Sequence, residues 1–224
     1  MKSEVAKTAL IGKGSILAPG VIIEDQVHIG RDCKIAAGSI LYKGTTLGDE
    51  ADVGPNCQLG YPVLNKEQNT QIGRGSIIRS GTVIYAGVQV GECLQTGHYA
   101  VIREAVRMGS YVLVGTHAVV DGDATIGNFV SLQTGAYVTR YTTVEDNVIF
   151  GPYAKTTNDS FKESKGMLRG SVIAKGVRLG CNAVILPGIH VGADVIVGAG
   201  AVVTCNVLSG TIVAGIPARV LKEK

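Results

Sequence analysis

The sequence places an aliphatic side chain at every sixth position over long stretches. From Val5 to Leu59, each position in this series is Val, Ile or Leu. If roughly 30% of residues are large and apolar, the ten positions of this run have a chance on the order of one in 10⁵. The series resumes from Ile72 to Phe150 and again from Ile173 to Val203. A period of six restricts the fold more than any other property of this chain.

Six residues are enough for one short strand and one turn. Strand side chains alternate between two faces, so each hexad can turn two side chains inward, and a glycine often eases the turn. Gly12, Gly30 and Gly48 recur at intervals of 18 residues. This spacing indicates that three hexads close one triangular coil, and each coil adds about 4.8 Å. The pattern predicts an all-β parallel β-helix, a triangular prism. A β-sandwich is disfavoured, because its turns come at irregular spacings of about 8–12 residues.

Two segments interrupt the period. Residues 61–71 and 157–170 are polar and depart from the six-residue spacing, so we expect protruding loops near these positions. Loops on rigid scaffolds often carry function. Because the period returns after each interruption, the sequence predicts a single β-helix domain over residues 1–224.

Composition argues against several classes of function. A net charge of +3 with 17% charged residues gives no sign of nucleic-acid binding. The sequence has no run of about 18 uncharged apolar residues, so no membrane span is expected. The cysteines show no CxxC spacing and stand at Cys33, Cys57, Cys93, Cys181 and Cys205. We interpret them as small, reduced core residues of a cytoplasmic protein without a metal site.

Several segments resemble the hexapeptide-repeat acyltransferases. The stretch GCNAVILPGIHVGADVIVGAGAVVTCNV, from Gly180, and the later VAGIPARVLKEK, from Val213, are similar to the acyl-CoA-binding coils and closing helix of that family. The resemblance covers nearly the whole chain. It implies a left-handed β-helix, an exception to the usual right-handed crossover, and a short C-terminal helix at about residues 216–223.

Within that family, two further segments are similar to nucleotide-sugar N-acetyltransferases and N-acyltransferases. They are IRSGTVIYAGVQVGECLQTGHYAVIRE, from Ile78, and FGPYAKTTND, from Phe150. The resemblance implies acyl transfer, most simply of acetyl from acetyl-CoA, to the amino group of a UDP- or dTDP-linked amino-deoxysugar in surface polysaccharide or O-antigen biosynthesis. It also implies a cytoplasmic homotrimer with active sites between subunits. FKESK, from Phe161, departs from the proline-containing loop expected after TND.

One polar residue breaks the second aliphatic series. Thr96 occupies an inward position, and His98 follows two residues later. Because residues 18 apart stack on neighbouring coils, Ser80, His98 and Thr116 should form a column at one corner, with Ser80 about 5 Å from His98. We expect Thr96 to loosen the core beneath this corner, since local breaks of a pattern accompany function. Position and resemblance together make His98 the candidate catalytic residue.

Acyl transfer to an amine requires few groups. His98 could accept the proton that the amine loses on attack, because imidazole titrates near neutral pH. It could instead only position the amine, or pack as a surface residue at a trimer interface. Attack on the thioester would be direct, without a covalent intermediate on Cys93.

Further candidates lie near this column in the sequence or in the predicted register. A second corner column should contain Glu104, Gly122, Arg140 and Asn158. The candidate substrate-binding residues are Ser80, Tyr85, Glu104, Tyr153, Asn158 and Asp159. The resemblance, together with small or basic side chains that suit a pantetheine arm and CoA phosphates, gives the candidate cofactor-binding residues Gly180, Ala183, Gly198, Ala199, Ala201, Arg219 and Lys222. Many of these have a structural alternative as turn, interface, coil-packing or solvated-tail residues.

Other functions are compatible with a β-helix. An O-acetyltransferase acting on a sugar or on serine would use the same scaffold and donor. A non-catalytic β-helix scaffold would not bind CoA. A zinc enzyme of the carbonic anhydrase type needs three converging histidines, and His98 and His117 lack a third partner at a plausible coil position.

Overall fold

The chain winds through successive coils, and the coils contribute short parallel strands to three sheets. The computed structural model describes residues 2–64, 68–160 and 167–223. The first sheet has 11 strands, which are Glu4–Val5, Ile22–Ile23, Ile40–Leu41, Gln58–Tyr61, Val83–Tyr85, Val101–Ile102, Val119–Val120, Tyr137–Val138, Lys155–Thr156, Val184–Ile185 and Val202–Val203.

The other two sheets complete the prism. The second sheet has 10 strands, which are Leu10–Ile11, His28–Ile29, Thr45–Leu47, Thr70–Ile72, Gln89–Val90, Arg107–Met108, Thr125–Ile126, Thr143–Val144, Val172–Ile173 and His190–Val191. The third sheet has 12 strands, which are Ile16–Leu17, Lys34–Ile35, Asp52–Val53, Ile77–Ile78, Gln95–Thr96, Leu113–Val114, Ser131–Leu132, Ile149–Phe150, Arg178–Leu179, Ile196–Val197, Thr211–Gly215 and Ala218–Glu223.

Neighbouring strands in each sheet come from consecutive coils. In the first sheet, Val101 pairs with Val119, and Val119 pairs with Tyr137, so the register advances by one coil at each step. The pairing is parallel up to Thr211–Gly215. The predicted all-β parallel β-helix is therefore confirmed, and the winding is consistent with the left-handed form that the resemblance implies.

The aliphatic series lines the interior of the prism. Ile102, Val120 and Val138 stand at inward positions of the first sheet and are each 0% exposed. Smaller side chains at the corners, such as Ala100, fill the space between the layers. Val5 belongs to the first described coil and is 44% exposed, because a neighbouring coil covers it on one side only. The core is thus narrow and continuous, which agrees with a composition poor in large aromatic residues.

Both interruptions of the period leave the coil at the same corner, between the first and second sheets. The first follows Tyr61 and ends where Thr70 re-enters the second sheet. The second follows Thr156 and ends before Val172. Within the two expected loops, residues 65–67 and 161–166 lie outside the described residues, as does Lys224 at the end of the chain.

The closing helix expected at about residues 216–223 is wrong. Ala218–Glu223 forms a strand antiparallel to Thr211–Gly215. Gly215 has a φ of 99° and Pro217 lacks a backbone N–H, and these properties suit a tight reversal between two strands. The added strand also pairs with the backbone groups at the edge of the third sheet, which would otherwise be left open.

We predict that Phe150→Ala strongly destabilises the fold. Phe150 is 0% exposed and is among the largest fully buried side chains, so its removal leaves a cavity and should lower the free energy of unfolding by about 3–5 kcal/mol. Denaturant titration followed by circular dichroism would measure this. Phe129→Ala is the control, because Phe129 is 58% exposed and its loss should cost less than about 1 kcal/mol. Equal losses in both variants would contradict the assigned register.

Candidate functional site

His98 lies at the corner between the third and first sheets, two residues after the strand Gln95–Thr96. The backbone N–H of His117 donates to the carbonyl of His98 at 3.0 Å, and the N–H of Tyr99 donates to the carbonyl of Ser80 at 3.0 Å. These bonds stack residues of successive coils in the order that the sequence predicts. We call this column the His98 corner; it consists of Ser80, His98, Thr116, Thr134, Pro152, Cys181 and Ala199.

Ser80 makes direct contact with His98. The Ser80 hydroxyl oxygen lies 2.6 Å from Nδ1 of His98. Ser80 is half-buried, whereas His98 is exposed. If Nδ1–H donates to the hydroxyl oxygen, Nε2 keeps its lone pair and faces no protein partner among the described residues. The hydroxyl of Ser80 is thus engaged with the imidazole, where the sequence suggested a direct contact with substrate.

Aromatic rings flank the His98 column. Tyr99 has a φ of 55°, and its ring covers Gly81, where any β-carbon would overlap it. The ring centroids of Tyr99 and His117 are 5.6 Å apart. Tyr153 covers Gly135 in the same way, three coils or about 14 Å along the corner from His98. The corner therefore presents an exposed imidazole on a row of rings, and Tyr99 is a member that sequence reasoning missed.

Thr96 changes the backbone hydrogen bonding just before His98. At the next two coils, the N–H after the strand donates to an inward residue's carbonyl, as from Gly97 to Val114 at 2.7 Å. In the coil beneath His98, the N–H of Arg79 donates instead to the Thr96 hydroxyl at 2.9 Å. That hydroxyl also lies 2.9 Å from the hydroxyl of Thr82. Thr96 is 3% exposed and its hydroxyl is hydrogen-bonded, so the expected loosening of the core is wrong. The hydrogen bonding between the two coils is rearranged instead.

Thr156 repeats this arrangement before the second loop. The N–H of Thr139 donates to the Thr156 hydroxyl at 2.9 Å, and the hydroxyls of Thr139 and Thr142 cluster around it. Asn158 and Asp159 follow after Thr157. The sequence contained a signal for this arrangement, because extending the inward series by one hexad beyond Phe150 places Thr156 at an inward position.

A second column, the Glu104 corner, lies between the first and second sheets and consists of Glu104, Gly122, Arg140 and Asn158. Glu104 is 6% exposed, and its carboxylate accepts from Nε of Arg103 at 3.0 Å. Arg140, two coils away, also pairs with it. Gly122 lies between them, and a β-carbon there would stand 2.5 Å from Nη2 of Arg140. Glycine at 122 therefore lets the ion pair span two coils.

Electrostatics keep Glu104 ionised. Burial by itself would raise its pKa, but a hydrogen bond from its own backbone N–H and the charges of Arg103 and Arg140 outweigh burial, so the pKa of Glu104 is lowered. The arginines are in turn held by Asp121, 3.5 Å from Arg103, and by Asp123, 3.4 Å from Arg140. The carboxylate of Glu104 is thus occupied within the scaffold, where the sequence suggested a substrate contact.

The remaining substrate candidates also lie at the Glu104 corner. The Tyr85 ring lies between Tyr61, at a centroid distance of 5.1 Å, and the guanidinium of Arg103, at 5.4 Å. Nδ2 of Asn158 donates to the carbonyl of Arg140 at 3.3 Å, and Asp159 is exposed. On one chain, Ser80 and Tyr153 therefore lie with His98, whereas Tyr85, Glu104, Asn158 and Asp159 lie across the first sheet from it.

The cofactor candidates divide by orientation. Gly180 and Gly198 each precede a member of the His98 corner by one residue. Ala199 belongs to that corner and is exposed, five coils or about 24 Å from His98. Ala183 and Ala201 are 0% exposed, so only their backbone atoms could meet a ligand, and their assignment to the cofactor site stays a prediction. A β-carbon on Gly180 would lie 2.5 Å from the backbone nitrogen of Ala199, so close packing of coils already requires this glycine.

Arg219 and Lys222 lie on the final strand and are exposed. Nη1 of Arg219 donates to the carbonyl of Ala218 at 2.9 Å. They occupy the end of the third sheet, next to Thr211–Gly215, so their charges remain accessible from solvent.

The cysteines differ from the expectation of a buried set. Cys33 and Cys57 are buried, and burial is the main cause that raises the pKa of both thiols, which disfavours the nucleophilic thiolate. Cys93 is half-buried, whereas Cys181 and Cys205 are exposed. The exposed pair follows strands at corners, where side chains turn away from the core.

The part of the chain that the structure describes contains neither a cluster of metal-ligating side chains nor a membrane-crossing helix. Among residues 2–64, 68–160 and 167–223, no three or more His, Cys, Asp or Glu side chains converge as metal ligands would. The same residues include no helix of the length and hydropathy that a membrane crossing needs.

Comparison with known proteins relates the repeat to a family. Residues 8–43 and 170–205 match the family described as bacterial transferase hexapeptide (six repeats). A 2,3,4,5-tetrahydropyridine-2,6-dicarboxylate N-acetyltransferase of Staphylococcus aureus (strain bovine RF122 / ET3-1) is 44% identical over 52 residues, 23% of this chain and 22% of that enzyme. The chain thus matches about a fifth of the relative's length. The predicted resemblance to hexapeptide-repeat transferases is confirmed.

Two solved structures share the fold over almost the whole chain. A UDP-N-acetylglucosamine acyltransferase from Arabidopsis has a TM-score of 0.61 and 19% identity, covering 98% of this chain and 72% of that one. A UDP-N-acetylglucosamine acyltransferase from Campylobacter jejuni has a TM-score of 0.54 and 16% identity, with coverage of 98% and 72%. At these identities the likeness concerns the fold alone.

We predict an acid-dependent stability contribution from Glu104. Its pKa in the folded chain is lowered from the ordinary 4.5, so its stabilisation is present above about pH 4.5 and is lost as the pH falls further. Glu104→Gln should lower the free energy of unfolding by about 1–3 kcal/mol at neutral pH. This range allows for the solvent that reaches Arg103 and screens its interaction with Glu104. The difference from wild type should shrink towards about pH 3.

Glu50→Gln is the matched control for this measurement. Glu50 pairs with Arg74 at 3.4 Å, but the two side chains are 60% and 58% exposed, so its loss should cost less than about 0.5 kcal/mol. Denaturant titrations at several pH values would compare the variants. A Glu104 effect that stays constant down to pH 3 would refute the proposed linkage.

Proposed function

We propose that this chain is an acyl-CoA-dependent N-acyltransferase, in its simplest form an N-acetyltransferase that uses acetyl-CoA. The acceptor is the amino group of a UDP- or dTDP-linked amino-deoxysugar, as in surface polysaccharide and O-antigen biosynthesis. The hexapeptide repeats, the short similarity to an N-acetyltransferase and the segments around Ile78 and Phe150 support this assignment. The observation that carries it is the exposed His98 imidazole bound at Nδ1 by Ser80 at 2.6 Å.

The geometry suits direct transfer. The neutral amine attacks the thioester carbonyl while Nε2 of His98 accepts the proton that the nitrogen loses. The tetrahedral intermediate then expels the CoA sulfur, which leaves as the thiol after receiving that proton, and the products are an amide and free CoA. Histidine suits this exchange because imidazole can accept and return a proton near neutral pH.

Ser80 acts through His98 in this scheme. By accepting from Nδ1–H, its hydroxyl favours the tautomer with the lone pair on Nε2. A hydroxyl that donated to Nδ1 would leave the proton on Nε2 and block proton acceptance there. Ser80 is therefore assigned as a positioning residue for His98.

Two backbone groups at the same corner suit the oxyanion. The N–H groups of His98 and Thr116 make no hydrogen bond within the described ranges 2–64, 68–160 and 167–223. A backbone donor in that state can stabilise the negative charge that develops on the thioester oxygen. The donor's pantetheine arm would then run along the corner towards Gly198 and Ala199.

A cytoplasmic homotrimer completes the proposal. Tyr85, Glu104, Asn158 and Asp159 lie across the first sheet from His98, so a neighbouring subunit is needed to bring such a corner to the imidazole. The outward positions of the first sheet support subunit contact, because Val83, Val101 and Val119 form a row of aliphatic side chains there. Light scattering would give the oligomeric state.

We predict that His98→Gln lowers kcat for acyl transfer by about 10²–10⁴-fold, because the proton acceptor is lost. Ser80→Ala should lower kcat by about 3–10-fold, which corresponds to one hydrogen bond, and should shift the acidic limb of the pH profile. Ser80→Thr, which keeps a hydroxyl, should restore that profile. The assay measures thiol release from acetyl-CoA with a panel of UDP- and dTDP-linked amino sugars.

Controls and acceptors separate the competing functions. His190→Gln should leave the rate unchanged, since His190 is exposed on the second sheet. Turnover of hydroxyl acceptors alone, either serine or a sugar without an amine, would favour the O-acetyltransferase. If calorimetry shows no CoA binding at millimolar concentration, the result would favour the non-catalytic scaffold over both enzyme functions. An unchanged kcat for His98→Gln at every pH would exclude its proton-accepting role.

A further inference from the structure

A cavity of about 380 Å³ opens beside the place where the second loop leaves and rejoins the β-helix. One wall comes from the loop, with Asn158, Met167 and Arg169, and the other from the next coil, with Leu186, Pro187 and Ile189. This volume lies within the range of about 300–1,000 Å³ that small-molecule sites occupy.

The cavity wall is built into the scaffold. The N–H of Arg169 donates to the carbonyl of Asn158 at 2.8 Å, and the N–H of Gly188 donates to the carbonyl of Arg169 at 3.2 Å. A β-carbon on Gly188 would lie 3.6 Å from Cβ and Cδ of Arg169, so the aliphatic stem of Arg169 lies over that glycine. Ile189 packs against the hydrophobic core. Arg169 is thus anchored at both backbone groups between two coils.

The charge of Arg169 is not balanced at the cavity. Arg103 and Arg140 are both paired with carboxylates, whereas Arg169 has no ion pair within residues 2–64, 68–160 and 167–223. No carboxylate belongs to the described lining of the cavity, whose other polar side chains are neutral. The site therefore offers one cation with amide and hydroxyl groups beside it, a combination that favours an anionic head group.

The opposite wall is apolar. Leu186, Pro187 and Ile189 are half-buried, and Met167 at the loop is 71% exposed. A thioether and branched aliphatic side chains accept a flexible apolar chain without specific geometry. An anionic head alone would leave this wall uncovered, and an apolar molecule alone would leave the guanidinium without a partner.

We propose that this cavity binds an amphiphilic anion, with its carboxylate or phosphate on Arg169 and Asn158 and a short apolar chain along Leu186, Pro187 and Ile189. Such a ligand has two chemical sources, a medium-chain carboxylate or a medium-chain alkyl phosphate. On the same chain the cavity lies at a different corner from His98, although Asn158 belongs both to the cavity and to the acceptor site of the proposed trimer. The binding measurements below use neither a thioester nor an amino sugar, so their failure is distinguishable from failure of the acyl-transfer assay.

The test is calorimetric binding of octanoate and of octyl phosphate to the full chain, with octanol as the neutral probe. Wild type should bind at least one of the two anions more tightly than octanol. Arg169→Gln should weaken that binding about tenfold, as expected for a lost charge-assisted contact. Arg107→Gln, at an exposed arginine on the second sheet, should leave it unchanged.

A second measurement does not depend on a variant. The methyl resonances of Ile189 in the wild-type protein should shift on addition of the bound anion. Tighter binding of octanoate would identify the carboxylate source, and tighter binding of octyl phosphate the phosphate source. The proposal is overturned if neither anion binds at millimolar concentration, if Arg169→Gln and Arg107→Gln bind equally well, or if the Ile189 methyls do not move.

Discussion

The parallel backbone ladder is the interaction on which the rest of this structure depends. Each coil donates its strand and corner N–H groups to the coil beside it, so a residue's neighbours are those one coil before and after it. The ladder thus converts sequence spacing into position in space. Ser80 meets His98, and Arg140 reaches Glu104 across Gly122, because backbone bonds fix the corners on which these side chains stand.

The His98 corner and the Glu104 corner use this regularity in opposite ways. At the Glu104 corner, acidic and basic side chains of several coils pair with one another, and their charges are largely satisfied within the protein. At the His98 corner, a single hydrogen bond holds an exposed imidazole, and the backbone N–H groups of His98 and Thr116 are among those that donate to no group in the described residues. Reactivity is expected where the scaffold leaves such groups available, whereas mutual pairing stabilises the stacking of coils.

Much of this could be read from the sequence, because a strict period encodes register. The fold, the inward series and the Ser80–His98 stacking follow from spacings of 6 and 18. The inward orientation of Ala183 was also readable, four residues after Leu179. The role of the Thr96 hydroxyl could not be read from the sequence, because spacing shows which side chain faces inward but not which backbone N–H donates to it. The closing helix failed because it came from resemblance, whereas Gly215 and Pro217 of this chain favour a strand reversal.

The antiparallel hairpin at the C-terminus has a consequence for self-association. A parallel β-helix ends in unpaired edges onto which another copy could stack and extend a filament. Here the last strand of the third sheet runs against the direction that a further coil would need, and it carries Arg219 and Lys222. The hairpin therefore covers the edge of the third sheet onto which another parallel coil would otherwise add.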